Sequence, residues 1–406
     1  MKALLCCLLF AFLFFSSPGY SQSSDSSKVV QKDLWDIVSP KKVESIEDEE
    51  AHKIQKGLLP YASINPATGV EFGVFGNLAA YFGDHTTTRL SNMTMGAAYT
   101  TKKQFTTNLR TIIFTNNDNW ILVGDARFYK YSQSTYGLGS ASTGNAEVPL
   151  TFNMIRFYET ALRKIYKSLY AGGGINYQRH YSIGGYTPVD VTEGVPVSYD
   201  AYSLYCFNHD FNPNEYTSAG LNLSAGIDSR DNIINAYKGI YFRTSYFFYD
   251  KVLGGSSKWQ SIGTEFKTYL PLAKKHNQRL AFWYYGSFLT NGRAPYMELP
   301  SIGWDTYGNS GRGYVQGRFR GSSMVYAETE YRLDLSTNGL LGAVAFLNCS
   351  TTSNDDTAEH LFNTMNPAGG LGLRIKLNKI SRTNISIDYG IGKNSNGFYL
   401  NVGEAF

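Results

Sequence analysis

The sequence predicts an all-β chain: a transmembrane antiparallel β-barrel of about sixteen strands, with a short helical segment on the periplasmic side of its N-terminus. Three observations predict it. An apolar N-terminal run is broken by small residues and a proline, as in an export signal. From Gly57 to Phe406 large apolar side chains alternate with small, polar or charged ones at a period of two. The chain holds 31 Tyr, 25 Phe and 40 Gly and is only 17% charged, which suits aromatic girdles around a lipid-facing wall.

At the N-terminus, Lys2 precedes an apolar run over residues 3–15. That length suits a signal-peptide core and is short of the roughly 20 residues a spanning helix needs. Ser16, Ser17, Pro18 and Gly19 end the run, and small residues up to Ser21 offer a cleavage site, so residues 1–21 read as a signal peptide. Cys6 and Cys7 leave with it. Cys206 and Cys349 remain, too few for a disulfide framework. The rest of the chain has no apolar run long enough for a membrane helix, which excludes a helical membrane protein. A net charge of +4 is too mild to point to nucleic acid. Residues 22–56 read as a polar periplasmic leader, disordered over its serines. A short helix is expected at 44–55, where acidic residues precede Lys53 and complement the helix dipole.

The barrel is expected over residues 57–406. Its last strand sets Phe398, Leu400, Val402 and Phe406 against Tyr399, Asn401, Gly403 and Ala405. The strand before it sets Ile385, Ile387 and Tyr389 against Ser386 and Asp388, and the one before that sets Leu371, Leu373, Ile375 and Leu377 against Gly372, Arg374 and Lys376. Apolar outside and polar inside is the pattern of a membrane barrel with a wet lumen. A soluble barrel would reverse the sense; alternation alone does not separate the two, and the export signal and aromatics favour the membrane. Strand centres are expected near 61, 75, 97, 110, 126, 155, 175, 223, 245, 264, 284, 329, 345, 373, 387 and 402, an even number. Long connections (184–216, 292–321, 351–366) then fall outside the cell and short ones (272–276, 336–339, 378–382) in the periplasm, with 83–90 unexpectedly long for a periplasmic turn. The first strand carries Pro60 and is followed by Pro66, which predicts weak pairing there.

The outer segment 292–321 is rich in glycine and holds Arg293, Arg312, Arg318 and Arg320. The strand after it places Met324, Tyr326, Glu328, Glu330, Arg332 and Asp334 on one face, which cannot meet lipid. Arg312, in the string Gly311-Arg312-Gly313-Tyr314, is a planar fork suited to carboxylates. An Arg312–Glu330 pair would pin the segment inside the lumen; the alternative is a solvated loop with scattered charges. Catalytic and cofactor signatures are missing. Gly308-Asn309-Ser310-Gly311 falls short of a nucleophile elbow, the glycine-rich strings precede no helix, and the six histidines show no metal-ligand spacing. His209-Asp210, in the 184–216 loop, sets a base beside a carboxylate, an arrangement more often a solvated loop pair than a dyad, so neither an enzyme nor a cofactor is expected.

Three motifs in order carry a family resemblance. Arg312-Gly313-Tyr314 is similar to the Arg-Gly-Phe/Tyr tip of the sixth outer loop in the bacterial surface antigen superfamily, which includes the BamA and TamA assembly factors and the two-partner secretion translocators. Asp228-Ser229-Arg230-Asp231-Asn232, followed by Gly239, resembles the family's Asp-x-Arg periplasmic turn. The final strand with Phe398, Leu400, Val402 and Phe406 resembles the C-terminal signal by which such barrels are themselves inserted. The resemblance implies that Arg312 meets acidic residues on the following strands, with Glu330, in the string Glu328-Thr329-Glu330, at the first position. At the second position, where the family has Phe-x-Asp, this chain has Phe346-Leu347-Asn348; Asn348 carries no charge, so that half of the lock is expected to be weaker or shifted. It also implies an outer-membrane monomer surrounded by lipid that assists client outer-membrane or secreted proteins to insert or cross. Residues 22–56 are too short for the family's client-receiving POTRA domain. The alternatives are a pore, a barrel enzyme, or a membrane anchor.

Overall fold

The computed structural model describes residues 31–38, 54–65, 69–142, 144–192, 195–197, 200–272 and 278–406. The expected signal peptide and residues 44–53 of the expected helix lie outside these; Gln55 is already in the first strand, and the helix observed near the N-terminus is α1 (Leu34–Val38). The wall is one antiparallel sheet of sixteen strands in sequence order. Its first half is β1 (Gln55–Asn65), β2 (Gly69–Ala80), β3 (Ser91–Thr100), β4 (Phe105–Phe114), β5 (Trp120–Thr135), β6 (Val148–Tyr166), β7 (Leu169–Gly184) and β10 (Tyr216–Asp228). Its second half is β11 (Gly239–Tyr249), β12 (Trp259–Pro271), β13 (Gln278–Gly292), β14 (Ser323–Asp334), β15 (Leu341–Thr352), β16 (Asn366–Asn378), β17 (Thr383–Gly392) and β18 (Ser395–Val402). The outer connection between β7 and β10 carries a small hairpin, β8 (Asp190–Thr192) with β9 (Val195–Val197), and helix α2 (Ala201–Asn208). Every expected strand centre falls inside one of the sixteen strands.

Accessibility decides the sense of the barrel. Leu347 and Leu371 are 73% and 69% exposed, whereas Glu330 on the opposite face is 0% exposed. Ionised side chains inside and leucines outside is the reverse of a soluble barrel and fits a wall solvated by lipid. Among the described residues no helix is long and apolar enough to cross a membrane. Pro60 is tolerated because β1 is an edge of the sheet, paired through its ladder to β2 alone.

Both ends of the lumen are furnished. At the outer end, Tyr202, Tyr205 and Cys206 of α2 pack with Tyr296, Met297 and Leu299 of the β13–β14 loop, and with Leu150, Phe152 and Met154 of β6, as an apolar roof. Asp200 caps α2 by accepting from the Tyr202 and Ser203 amides at 2.9 and 3.2 Å. At the periplasmic end, the long turn 81–90 has a structural reason. Its Arg89 reaches Asp118 at 2.8 Å and Asp228 at 3.0 Å, tying three turns together. Helix α1 docks on the β16–β17 turn, where Asp36 pairs with Lys379 Nζ at 3.0 Å and Asp33 accepts from the Lys379 amide at 3.1 Å.

The last strand departs from its expected pattern. Phe398 faces outward and is 59% exposed, but the ladder ends at Val402 and Gly403 takes φ 116°, a left-handed conformation that turns the chain. Residues 404–406 then bend into the lumen, and Phe406 is buried against Trp283 and Tyr269 instead of continuing the outward row.

Candidate functional site

The β13–β14 loop, residues 293–322, is the sixth outer loop, and it folds back into the barrel. Its tip lies flat on the inner wall of β16 and β17 because glycine or alanine stands at the points of closest approach, Gly313 against Ala368, Gly390 and Gly392. Gly313 sits at φ 105°, and a Cβ on it would lie 2.8 Å from the Ala368 Cβ and 3.0 Å from the Ile391 carbonyl carbon. The Gly313 amide donates to the Tyr399 hydroxyl at 2.9 Å, and the Tyr314 hydroxyl donates to the Pro367 carbonyl at 2.8 Å.

This seat aims Arg312 at a cage of carboxylates. Its Nη2 donates to both Glu328 and Glu330, and its Nη1 donates to Asp388 Oδ2 at 2.7 Å. The guanidinium also lies over the Phe346 ring, 3.8 Å from its centroid. All four charged residues are buried. Two more arginines complete the cage: Arg332 pairs with Glu330 at 2.6 Å and Arg374 with Asp388 at 2.5 Å. Alternating charges let a buried cluster offset its desolvation, and loss of any one member would leave an unpaired charge.

The expected Arg312–Glu330 pair is therefore present, and Glu328 joins it. The second position is shifted, as one of the two expected outcomes had it, and the place of Asn348 in the lock is corrected. Asn348 does not stand in for an acid; its Nδ2 donates to the Arg312 carbonyl at 2.9 Å. The second acid is Asp388, two strands further on in β17. Its signal was visible in the alternation, which turned Asp388 to the lumen opposite Ile387 and Tyr389.

The Omp85 superfamily domain matches residues 78–406 of the chain. The chain belongs to the Omp85 superfamily. Among solved structures, the fold of this Omp85 barrel is similar to BamA from Haemophilus ducreyi lacking POTRA domains 1–3, at TM-score 0.55 and 14% identity over 86% of this chain and 69% of that one. It is also similar to CdiB from Acinetobacter baumannii, at TM-score 0.53 and 13% identity over 86% and 59%. CdiB from Escherichia coli matches at TM-score 0.51 and 10% identity over 86% and 61%. The chain thus spans about three-fifths of each CdiB chain. No match is found among curated proteins. Omp85 barrels such as BamA and CdiB reside in the outer membrane.

The second motif of this Omp85 chain is a compact periplasmic brace. Arg230 forks onto Asp228 with both bonds at 3.0 Å. Asp231 accepts from the Tyr237 and Lys238 amides at 2.9 and 3.2 Å and pairs with Arg382 at 2.6 Å, in a turn six strands away around the barrel. Burial raises the Asp231 carboxyl's affinity for a proton, but Arg382 and the two amides outweigh it and hold its pKa below the ordinary value. Gly239 is required where it stands: at φ 108°, a Cβ would lie 2.4 Å from the Ser229 oxygen. The His209-Asp210 pair does not form. His209 faces Asp356 at 3.1 Å and ties two outer loops together.

Between the loop tip and the periplasmic turns lies a cavity of about 640 Å³, lined by Asn108, Arg110, Asp125, Arg243, Glu265 and Lys267 among others, and bordered by Tyr307 above and residues 403–406 below.

Proposed function

We propose that this Omp85 barrel assists insertion or translocation of proteins at the outer membrane. The observation that carries the reading is the Arg312 cage. It fixes a long outer loop to the inner face of β14 and β17 and leaves the wall's weakest part beside it. That part is the seam where β1 and β18 approach each other. β18 is only 8 residues long and turns inward at Gly403, and β1 carries Pro60. A strand edge that opens exposes unpaired backbone groups and can template an added strand. The cage would hold the rest of the wall in register meanwhile. A diffusion pore would need the lumen that this loop enters. Lipid around the wall and client polypeptides at the seam are the proposed partners, with the barrel acting as a monomer and without catalysis.

A photo-crosslinking side chain at Leu58 of β1 or Phe398 of β18, both outward-facing, should capture outer-membrane or secreted clients. The same probe at Leu223, also outward but on β10, should not. Equal capture at all three positions, or an unchanged outer-membrane proteome on depletion, would rule the reading out.

A further inference from the structure

Residues 404–406 sit in a lumenal pocket built of buried polar and aromatic groups. The Phe406 ring packs on Trp283, 5.4 Å between centroids at 29°, and on Tyr269 at 6.3 Å. Arg332 covers the ring at 5.0 Å and donates from Nη2 to the Phe406 main-chain oxygen at 2.8 Å. Asn309, on the sixth loop, donates to the Ala405 oxygen at 2.9 Å. The Glu404 carboxylate is held by Arg374 Nε at 2.7 Å and by the Asn384 amide at 2.6 Å. Each residue of the segment thus meets its own partner. Arg332, 1% exposed, keeps a second buried donor, Nη1, with no hydrogen-bond partner among the described residues.

We propose that this pocket is a peptide-binding site for a segment with an acidic residue two positions before an aromatic one, and that the chain's own Glu404-Ala405-Phe406 is its resident, displaceable ligand. The aromatic floor selects a flat ring, Arg374 and Asn384 select the carboxylate two residues earlier, and Arg332 reads the main chain between the ring and the cage. The cavity of about 640 Å³ borders all three tail residues and gives a second peptide room to approach. The resident segment also joins the two arms of the Arg312 cage, since Arg332 holds Glu330 and Arg374 holds Asp388. Exchange of the ligand would therefore be felt at the loop tip. The site stands on these contacts and does not depend on the insertion reading.

The test uses the full chain in lipid nanodiscs and a fluorescein-labelled peptide with the sequence of residues 398–406, followed by anisotropy. The Glu404→Ala/Phe406→Ala variant, whose pocket lacks its own ligand, should bind the peptide saturably. The wild type should bind it about 1,000-fold more weakly, because a tethered ligand at millimolar effective concentration competes against a peptide of micromolar affinity. Adding Trp283→Ala to the variant, or placing Ala at the peptide positions of Glu404 and Phe406, should abolish binding. Equal binding to wild type and variant, binding of the Ala-bearing peptide, or no binding to a folded variant would each overturn the proposal. Should the double variant fail to fold, Phe406→Ala alone serves with the same outcomes. Should that fail also, a disulfide between Asn309→Cys and Ala405→Cys tests the docking itself, and its failure to form in the folded barrel would overturn it.

Discussion

Replacing Arg312 by Ala removes a cation that three buried carboxylates share, yet the loss is smaller than three ion pairs. Glu330 keeps Arg332 at 2.6 Å, and Asp388 keeps Arg374 at 2.5 Å. Glu328 is left with the Tyr326 hydroxyl, which donates to it. The cost is then that of breaking one buried ion pair, about 3–5 kcal/mol. With a urea slope of about 3 kcal/mol/M, the unfolding midpoint should fall by about 1–1.7 M. The assay is the folded fraction across a urea series in detergent micelles, read from the heat-modifiable gel mobility of the barrel. Arg312→Lys should recover less than half of the loss, since one ammonium cannot reach both β14 and β17 as a fork does. Combining Arg312→Met with Glu328→Gln should recover about 1–3 kcal/mol relative to the summed single changes, as expected of groups in direct contact. A midpoint for Arg312→Ala within about 0.3 M of the wild type would refute the cage as a source of stability.

The same urea series separates the two candidates for the second anchor. Asp388→Asn should cost about 3 kcal/mol, because it leaves Arg312 and Arg374 without their shared charge, whereas Asn348→Ala should cost about 1 kcal/mol, one hydrogen bond to the Arg312 carbonyl. Equal losses would restore Asn348 to the anchor role. Gly313→Val should destabilise by about 1–3 kcal/mol through its left-handed backbone alone, and should make the loop tip newly susceptible to trypsin at Arg312; an unchanged digest would contradict the flat seat on β16 and β17. Burial pushes the Cys206 thiol up to about 12. At pH 8 only about one part in ten thousand is then thiolate, so a thiol reagent should leave Cys206 unlabelled in the folded barrel and label it in urea. Rapid labelling of the folded protein, mapped by mass spectrometry, would show that the roof over the outer end is open.

Period-two alternation determined the strands, their number and which face is lumenal. Each strand carries its own in/out pattern whatever its neighbours do, so Glu328, Glu330, Arg332, Arg374 and Asp388 were all legible as lumenal from local sequence. The Arg312 motif was legible for the same reason: a fixed cation in a glycine-rich loop before a strand with two inward acids. Which of those inward groups meet was decided only by the curved wall. Arg312 and Asp388 are brought together by the curvature that carries β17 round to the loop tip, and linear spacing holds no record of curvature. Asn348 lay closer in sequence and in motif, but its amide meets the loop's main chain. The end of the chain departs from alternation for a related reason. Alternation assumes that a strand continues, and Phe406 fits the outward row on that assumption. Gly403 breaks the strand, and Arg332, Trp283 and Tyr269, from strands β12 to β14 with no local relation to it, supply a better environment inside than lipid does outside. The sequence by itself determined a membrane barrel with an arginine poised over acids; the tertiary structure alone decided that Asp388 completes the cage and that the tail fills the pocket beneath it, because both depend on contacts between strands far apart in the chain.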